Sequence, residues 1–126
     1  RSQISLYKKN PDGTDSAILY GAHSHMTGSN GSNVHFMQAR EMPDGRILAM
    51  MIPFRANNRG GDIVLIDTNN YIDNDQPTAI NQGMLTANAQ SPATLNTVRT
   101  DNVPALGGSY RAAYPLQDGT SRLLVC

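Results

Sequence analysis

The side chains in this sequence whose type and spacing could do chemistry are first of all its three histidines. His23 and His25 alternate along the chain, and His35 follows in the next segment. On an extended backbone, alternate residues point to the same side, so the imidazoles of the first pair would face one way. Neutral imidazoles bind zinc, copper and iron, and a single one can ligate a haem iron. The spacing therefore predicts a metal or haem site at His23, His25 and His35, with ordinary hydrogen-bonded loop histidines as the alternative.

A second candidate site consists of oxygen ligands. Carboxylate and amide side chains recur over a short stretch, at Asp67, Asn69, Asp73 and Asp75. Calcium prefers such hard oxygen donors. The stretch does not follow the EF-hand loop, because Tyr71 stands where a polar ligand is needed. Asp and Asn are also favoured in turns, where they hydrogen-bond their own backbone. The sequence thus predicts either a calcium site or a set of turns here.

The dipeptide Asp-Gly occurs three times between apolar segments, at Asp12-Gly13, Asp44-Gly45 and Asp118-Gly119. Asp-Gly favours a hairpin turn because glycine adopts positive φ without strain. These aspartates are therefore predicted to be turn residues and not catalysts. Repeated hairpins of this kind are typical of an array of small antiparallel sheets.

Several other functional classes find no support. No Gly-x-Ser-x-Gly elbow surrounds Ser24, Ser29 or Ser32, so a hydrolase triad is not indicated. The Gly60-Gly61 and Gly107-Gly108 pairs lack the strand-to-helix context of a phosphate-binding loop. The 10 basic residues balance the 10 acidic ones without a basic stripe, which argues against nucleic-acid binding. No apolar run approaches the roughly 20 residues of a membrane-spanning helix.

Apolar segments predict the strands. Strands are expected over 3–8, 17–20, 34–40, 46–52 and 62–67, and two more on either side of the third Asp-Gly, over 110–115 and 122–126. The run 46–52 is apolar throughout, which favours a central strand buried on both faces over a short buried helix. Residues 69–108 are expected to form a long loop with one helical turn within 81–89 and an edge strand within 94–99.

Two phrases in the chain resemble a known family. Residues 42–49 read MPDGRILA and residues 61–67 read GDIVLID, which is similar to consecutive strands in the blades of TolB-type, WD-repeat-like β-propellers. Residues 3–15 resemble the phrase that follows in that family. More loosely, residues 20–25 and 114–119 are similar to the propeller domain of proteins related to the hydrazine synthase alpha subunit. Met42 and Gln117 depart from the family pattern, and no Cys-x-x-Cys-His motif is present for haem attachment.

The resemblance implies an all-β fold, a partial β-propeller of two to three incomplete blades with long loop insertions. Residues 1–22 would end one blade, 33–100 would form a central blade with a long insertion, and 107–126 would start the next. The chain is accordingly expected to be a fragment of one propeller domain. A blade cannot bury its faces alone, so the expected partners are the remaining blades of the same protein or other protein chains.

The same resemblance implies a non-catalytic binding or scaffolding module of a larger exported bacterial protein, in the periplasm or on the cell surface. The loops 23–33 and 69–108 would form the binding rim. The alternative is a propeller domain of a haem-containing oxidoreductase related to hydrazine synthase alpha, with the histidines near a metal or haem. A stand-alone small β-protein is the third hypothesis, and the sequence does not decide whether the protein is an enzyme.

Overall fold

The computed structural model describes residues 5–54, 60–84, 87–101, 108–116 and 122–125. Over these residues the chain is mostly β, and its helical parts are the short 3-10 turns Ser24–Met26, Ser29–Gly31 and Ala79–Asn81. The strands are β1 Leu6–Lys8, β2 Ala17–Tyr20, β3 Val34–Glu41, β4 Ile47–Pro53, β5 Asp62–Ile66, β6 Tyr71–Asp73, β7 Gln76–Pro77, β8 Gln90–Pro92, β9 Ala113–Pro115 and β10 Leu123–Val125. No helix in the described part of the chain has the length and apolarity needed to cross a membrane.

A four-stranded antiparallel sheet with the order β3-β4-β5-β8 lies at the centre of the molecule. β4 pairs with β3 on one side and with β5 on the other. Leu48, Ala49 and Met50 of β4 are each about 1% exposed, although they point alternately to opposite faces. The prediction of a central strand buried on both faces is confirmed, because an apolar run without alternation needs cover on both sides.

The first two Asp-Gly dipeptides form hairpin turns of the same geometry. In one, the Asn10 amide donates to the Thr14 carbonyl at 2.9 Å; in the other, the Met42 amide donates to the Arg46 carbonyl at 2.8 Å. Gly13 and Gly45 both have a φ of 87°, a conformation that favours glycine. The third copy, Asp118-Gly119, lies outside the described residues, but the flanking strands β9 and β10 pair antiparallel as expected.

The aspartates of these turns bond to their own backbone. Asp12 Oδ1 accepts from the Thr14 hydroxyl at 2.6 Å and from the Thr14 amide at 2.9 Å, and Asp44 Oδ1 accepts from the Arg46 amide at 3.0 Å. These hydrogen bonds hold the pKa of both carboxyls below the usual value. The prediction that they are turn residues is confirmed.

The central sheet has two covered faces. On the front face, defined by Val34, Phe36, Ala49, Met51 and Val64, the sheet packs against the β1–β2 hairpin and the β6 segment. On the back face, the side chains of β4 and β5 pack against the β9–β10 hairpin and its approach, in a cluster built on Leu48, Met50, Ile63 and Ala113. The sheet therefore lies between two hairpins.

A β-bulge in β3 fixes the hairpin on the back face. The register of β3 on β4 shifts between Met37 and Arg40, and Gln38 within the bulge has a φ of 53°. A bulge of this kind redirects side chains. Gln38 Nε2 donates to the Arg111 carbonyl at 3.0 Å, and Arg40 Nε donates to the Ala113 carbonyl at 3.3 Å.

The stretch predicted as one long loop contains more structure than its sequence suggests. β6 and β7 form a small hairpin, and β8 joins the central sheet at its edge through Ile66↔Gln90 and Val64↔Pro92. The helical turn lies at Ala79–Asn81, just before the predicted range, and the edge strand is β8 and not 94–99. Pro92 suits an edge position, because proline cannot donate to a further strand.

Candidate functional site

The predicted histidine site is not assembled among the described residues. Ser24–Met26 form a 3-10 turn, so the prediction of an extended segment here is wrong. His23 is exposed, whereas His25 is buried. The His25 ring lies 6.4 Å from the Phe36 ring, on the front face. His35 alternates with Phe36, pairs with Ile52 and lies beside the Phe54 ring at 4.8 Å. His25 and His35 therefore lie on opposite faces of β3.

No group of three or more His, Cys, Asp or Glu side chains within the described ranges is placed to hold a metal ion. His25 instead contacts a serine. The Ser5 hydroxyl lies 3.2 Å from His25 Nε2 and donates to the Gly21 carbonyl at 3.0 Å. This buried contact links the segment that leads into β1 to the 3-10 turn that holds His25.

The predicted calcium ligands face different partners. The Asp67 carboxylate accepts from the Asn70 amide at 3.2 Å and from its side chain at 2.9 Å, which closes a turn. Asp73 is buried at 3% exposure, whereas Asp75 is exposed. Asn69 lies against Gly45, at the tip of the neighbouring hairpin. The four side chains do not converge, and the Asp67 geometry is that of the turn alternative.

Asp73 connects the loop 23–33, which contains His23 and His25 and is called the histidine loop below, to the β6–β7 hairpin. Its Oδ1 accepts from the His23 amide at 2.8 Å and from the Ser24 hydroxyl at 2.9 Å. Ser24 Oγ in turn accepts from the Asn74 amide at 2.7 Å. The carboxylate thus satisfies donors that the 3-10 turn leaves open, and its role in the described structure is positional.

The two loops predicted to form a binding rim do meet. The Ser29 amide donates to Thr100 Oγ1 at 2.9 Å, and the Thr100 amide donates to Ser29 Oγ at 2.9 Å. Ser32 Oγ adds a third bond to the Thr100 carbonyl at 2.9 Å. Thr100 is 1% exposed, so these bonds are shielded from water. Residues far apart in sequence are joined here by a reciprocal pair of hydrogen bonds.

A cavity of about 430 Å³ lies beside this junction. Residues 27–29 of the first loop and 97–100 of the second line it, together with Met51 of β4 and Asp62 of β5. Gly28 belongs to this lining, and a Cβ there would lie 2.4 Å from Ser32 Oγ and 2.7 Å from a Val34 methyl. A residue without a side chain is therefore required for the loop to approach β3 so closely.

Asp62 is the titratable residue that the central sheet contributes to the described lining of this cavity. It opens β5 opposite Met51 and is only 6% exposed. Its Oδ1 accepts from the Ile63 amide at 3.0 Å. Burial raises the pKa of the Asp62 carboxyl, an effect that hydrogen bonds from the Ile63 and Val98 backbone partly oppose.

The basic residue in the described lining of this cavity, Arg99, is already paired. Among the described residues the ion pairs are Asp44 with Arg46 and Arg99 with Asp101. Arg99 lines the cavity, but its Nε donates to Asp101 at 2.8 Å, and that contact raises the pKa of the guanidinium. Asp62 therefore has no basic partner in the described structure.

Sequence reasoning missed Asp62 as a site residue. It stands in a phrase that otherwise reads as strand, and the available signal was a charge at the start of an apolar run. A buried strand favours apolar residues, so an acid there needs a reason.

Comparison of the chain with protein-family models, with curated proteins and with solved structures found no significant match. The resemblance to propeller blades consequently stays a prediction from the sequence. The geometry of the cavity is independent of it.

Proposed function

We propose that this chain is a non-catalytic binding module of β-propeller type within a larger exported bacterial protein of the periplasm or cell surface. The observation that carries the proposal is the meeting of loops 23–33 and 69–108 around one cavity. Loops held by a rigid sheet are where proteins most often place binding residues. A concave site with a few polar groups is the usual form of a small-molecule site.

The described residues that line the cavity do not include a nucleophile hydrogen-bonded to a base, and this composition favours binding over catalysis. The titratable groups among the described lining residues are Asp62 and Arg99. Arg99 is engaged by Asp101. A general base or nucleophile needs a partner within hydrogen-bond reach to activate or orient it, and the partners of Asp62 among the described residues are backbone groups.

The arrangement of sheets supports the propeller part of the proposal. A propeller stacks four-stranded antiparallel sheets face to face, and here such a sheet lies between two hairpins. Each hairpin presents an apolar pair to the outside. Tyr7 and Ile18 are 56% and 44% exposed on the first; Tyr114 and Leu124 are 46% and 61% exposed on the second. Further sheets of the same kind would cover these pairs.

A screen with a blocked cavity tests the binding function. Thr97 is exposed and lines the cavity, so Thr97→Trp fills it with little risk to folding. Leu95→Trp is the matched control, because Leu95 is 103% exposed and lies outside the lining. Ligand-observed NMR with a chemically diverse fragment library should find hits for the wild type and for Leu95→Trp that are lost in Thr97→Trp. Hits that survive Thr97→Trp, or no hits for the wild type, contradict the binding function.

A separate experiment tests the propeller setting. Tyr7→Cys and Tyr114→Cys, each made in a Cys126→Ser background so that the native thiol does not react, would be labelled with a maleimide, both in this chain and in the full product of its gene. The proposal expects fast labelling in the isolated chain and protection in the full product, where further sheets cover both hairpins. Equal labelling in the two forms would contradict the propeller setting and leave the cavity untouched.

A further inference from the structure

The side of the cavity formed by the sheet carries a buried acid without a counter-ion among the described residues. Asp62 is 6% exposed, and within the described residues its carboxylate is hydrogen-bonded by the backbone of Ile63 and Val98. Carboxylates at this degree of burial are normally paired, because removing the charge from water is costly. A residue held in this state at the wall of a cavity indicates a ligand that supplies the missing partner.

The other charged side chain among the described lining residues, Arg99, does not compensate that negative charge. Arg99 and Asp101 neutralise each other through a side-chain pair. An anionic ligand would meet the Asp62 carboxylate, and the described basic side chain of the lining, Arg99, is already paired with Asp101. A cationic ligand would form a charge-assisted hydrogen bond, which is roughly twice as strong as a neutral one.

The hydroxyl groups of the lining offer acceptors to such a ligand. The Thr27 hydroxyl donates to the Ser24 carbonyl at 2.8 Å, so its lone pairs are the part left for a ligand. An ammonium or guanidinium group carries several N–H donors, which this acceptor and the Asp62 carboxylate can share.

From these contacts we infer that the cavity selects small organic cations, bearing an ammonium or guanidinium group, with Asp62 as the counter-ion. The inference rests on the proposed binding function and names its ligand class. It requires a cation smaller than the cavity of about 430 Å³.

Three probes of similar size and different charge test the selectivity: butylammonium, butan-1-ol and butyrate. Each would be titrated at constant ionic strength while the backbone amide signals of Ile63, Val98 and Thr100 are followed by two-dimensional NMR. Butylammonium should shift these signals at concentrations where butan-1-ol and butyrate do not. This comparison uses the wild-type chain alone, so it does not depend on the folding of any variant.

Two variants then test the role of the carboxylate. Asp62→Asn keeps the shape and the acceptor for the Ile63 amide but removes the charge, and it should weaken butylammonium binding about tenfold. Asp15→Asn makes the same charge change at an exposed turn and should bind like the wild type.

Butan-1-ol or butyrate acting as well as butylammonium would overturn the inference, as would unchanged affinity in Asp62→Asn or no shift with any probe. Each of these results leaves the proposed function standing if fragment hits are still lost in Thr97→Trp. Failure of that screen would instead remove the binding function itself.

Discussion

The two faces of the central sheet are covered in different ways. Among the described residues, the buried layer of the back face is apolar and consists of Leu48, Met50, Ile63 and Ala113, with Gln38 and Arg40 bonding to the hairpin at its margin. The front face also has an apolar layer, but buried polar groups surround it: Ser5, Ser24, His25, Asp62, Asp73 and Thr100. Apolar contact is non-directional, whereas buried polar groups need specific partners. The back face thus supplies cohesion, and the front face fixes the loops in one arrangement around a cavity.

The largest expected effect tests the apolar side of this comparison. Leu48→Ala should lower the free energy of unfolding by about 3 kcal/mol, because it opens a cavity in a packed layer. Urea denaturation measures it, and Leu95→Ala at an exposed position should stay within about 0.5 kcal/mol of the wild type. A loss as small for Leu48→Ala as for the control would mean that the back face is not packed.

The second-largest loss of stability tests the buried polar groups of the front face. Asp73→Ala should cost about 2 kcal/mol, because it leaves the His23 amide and the Ser24 hydroxyl without their acceptor. Asp73→Asn keeps an acceptor oxygen and should recover part of the loss. Asp75→Ala, at the exposed end of the same hairpin, is the control and should be near neutral. Equal stability of Asp73→Ala and Asp75→Ala would remove the claim that directional bonds hold the histidine loop.

A smaller loss is expected where the two loops join. Thr100→Val removes the hydroxyl that accepts from the Ser29 amide and should cost about 1 kcal/mol. The same change should speed hydrogen exchange at the Ser29 amide, while Thr97→Val, at an exposed position, should not. Unchanged exchange at Ser29 in Thr100→Val would show that the junction does not depend on this bond.

The smallest expected change in the free energy of unfolding is a gain and not a loss. Burial raises the pKa of Asp62, so the folded state binds its proton more tightly than the unfolded state does. The wild type should therefore lose stability as pH rises from the ordinary aspartate pKa of about 4 through the raised value. Asp62→Asn removes this loss and should be more stable at neutral pH, by less than about 1 kcal/mol. Thermal unfolding of both proteins from acidic to neutral pH gives the comparison; a variant that is less stable at neutral pH contradicts it.

Features encoded by neighbouring residues could be predicted from the sequence. The Asp-Gly turns follow from Asp12 and Asp44 bonding their own backbone, and the central strand follows from an unbroken apolar run over 46–52. Both depend on local chemistry. That the loops 23–33 and 69–108 form a binding rim stays a prediction; the structure shows that they meet at Ser29 and Thr100.

Features that depend on contacts between distant residues could not be predicted. The 3-10 turn that separates His23 from His25 is held by Asp73, which lies far along the chain. Asp62 lies beside segment 97–100, whose Val98 backbone bonds to its carboxylate, and no local periodicity signals this contact. The candidate site is made of such contacts. Its two loops could therefore be recognised from the sequence, but the role of Asp62 could not.

The most direct test of the account is a map of where fragment hits bind, made from backbone amide shifts in two-dimensional NMR of this chain. The account predicts shifts concentrated at Gly28, Ile63, Val98 and Thr100, around the cavity on the front face. Shifts concentrated instead at Leu48, Ala113 and Leu123, in the apolar layer of the back face, would contradict the claim that the polar face carries the binding site.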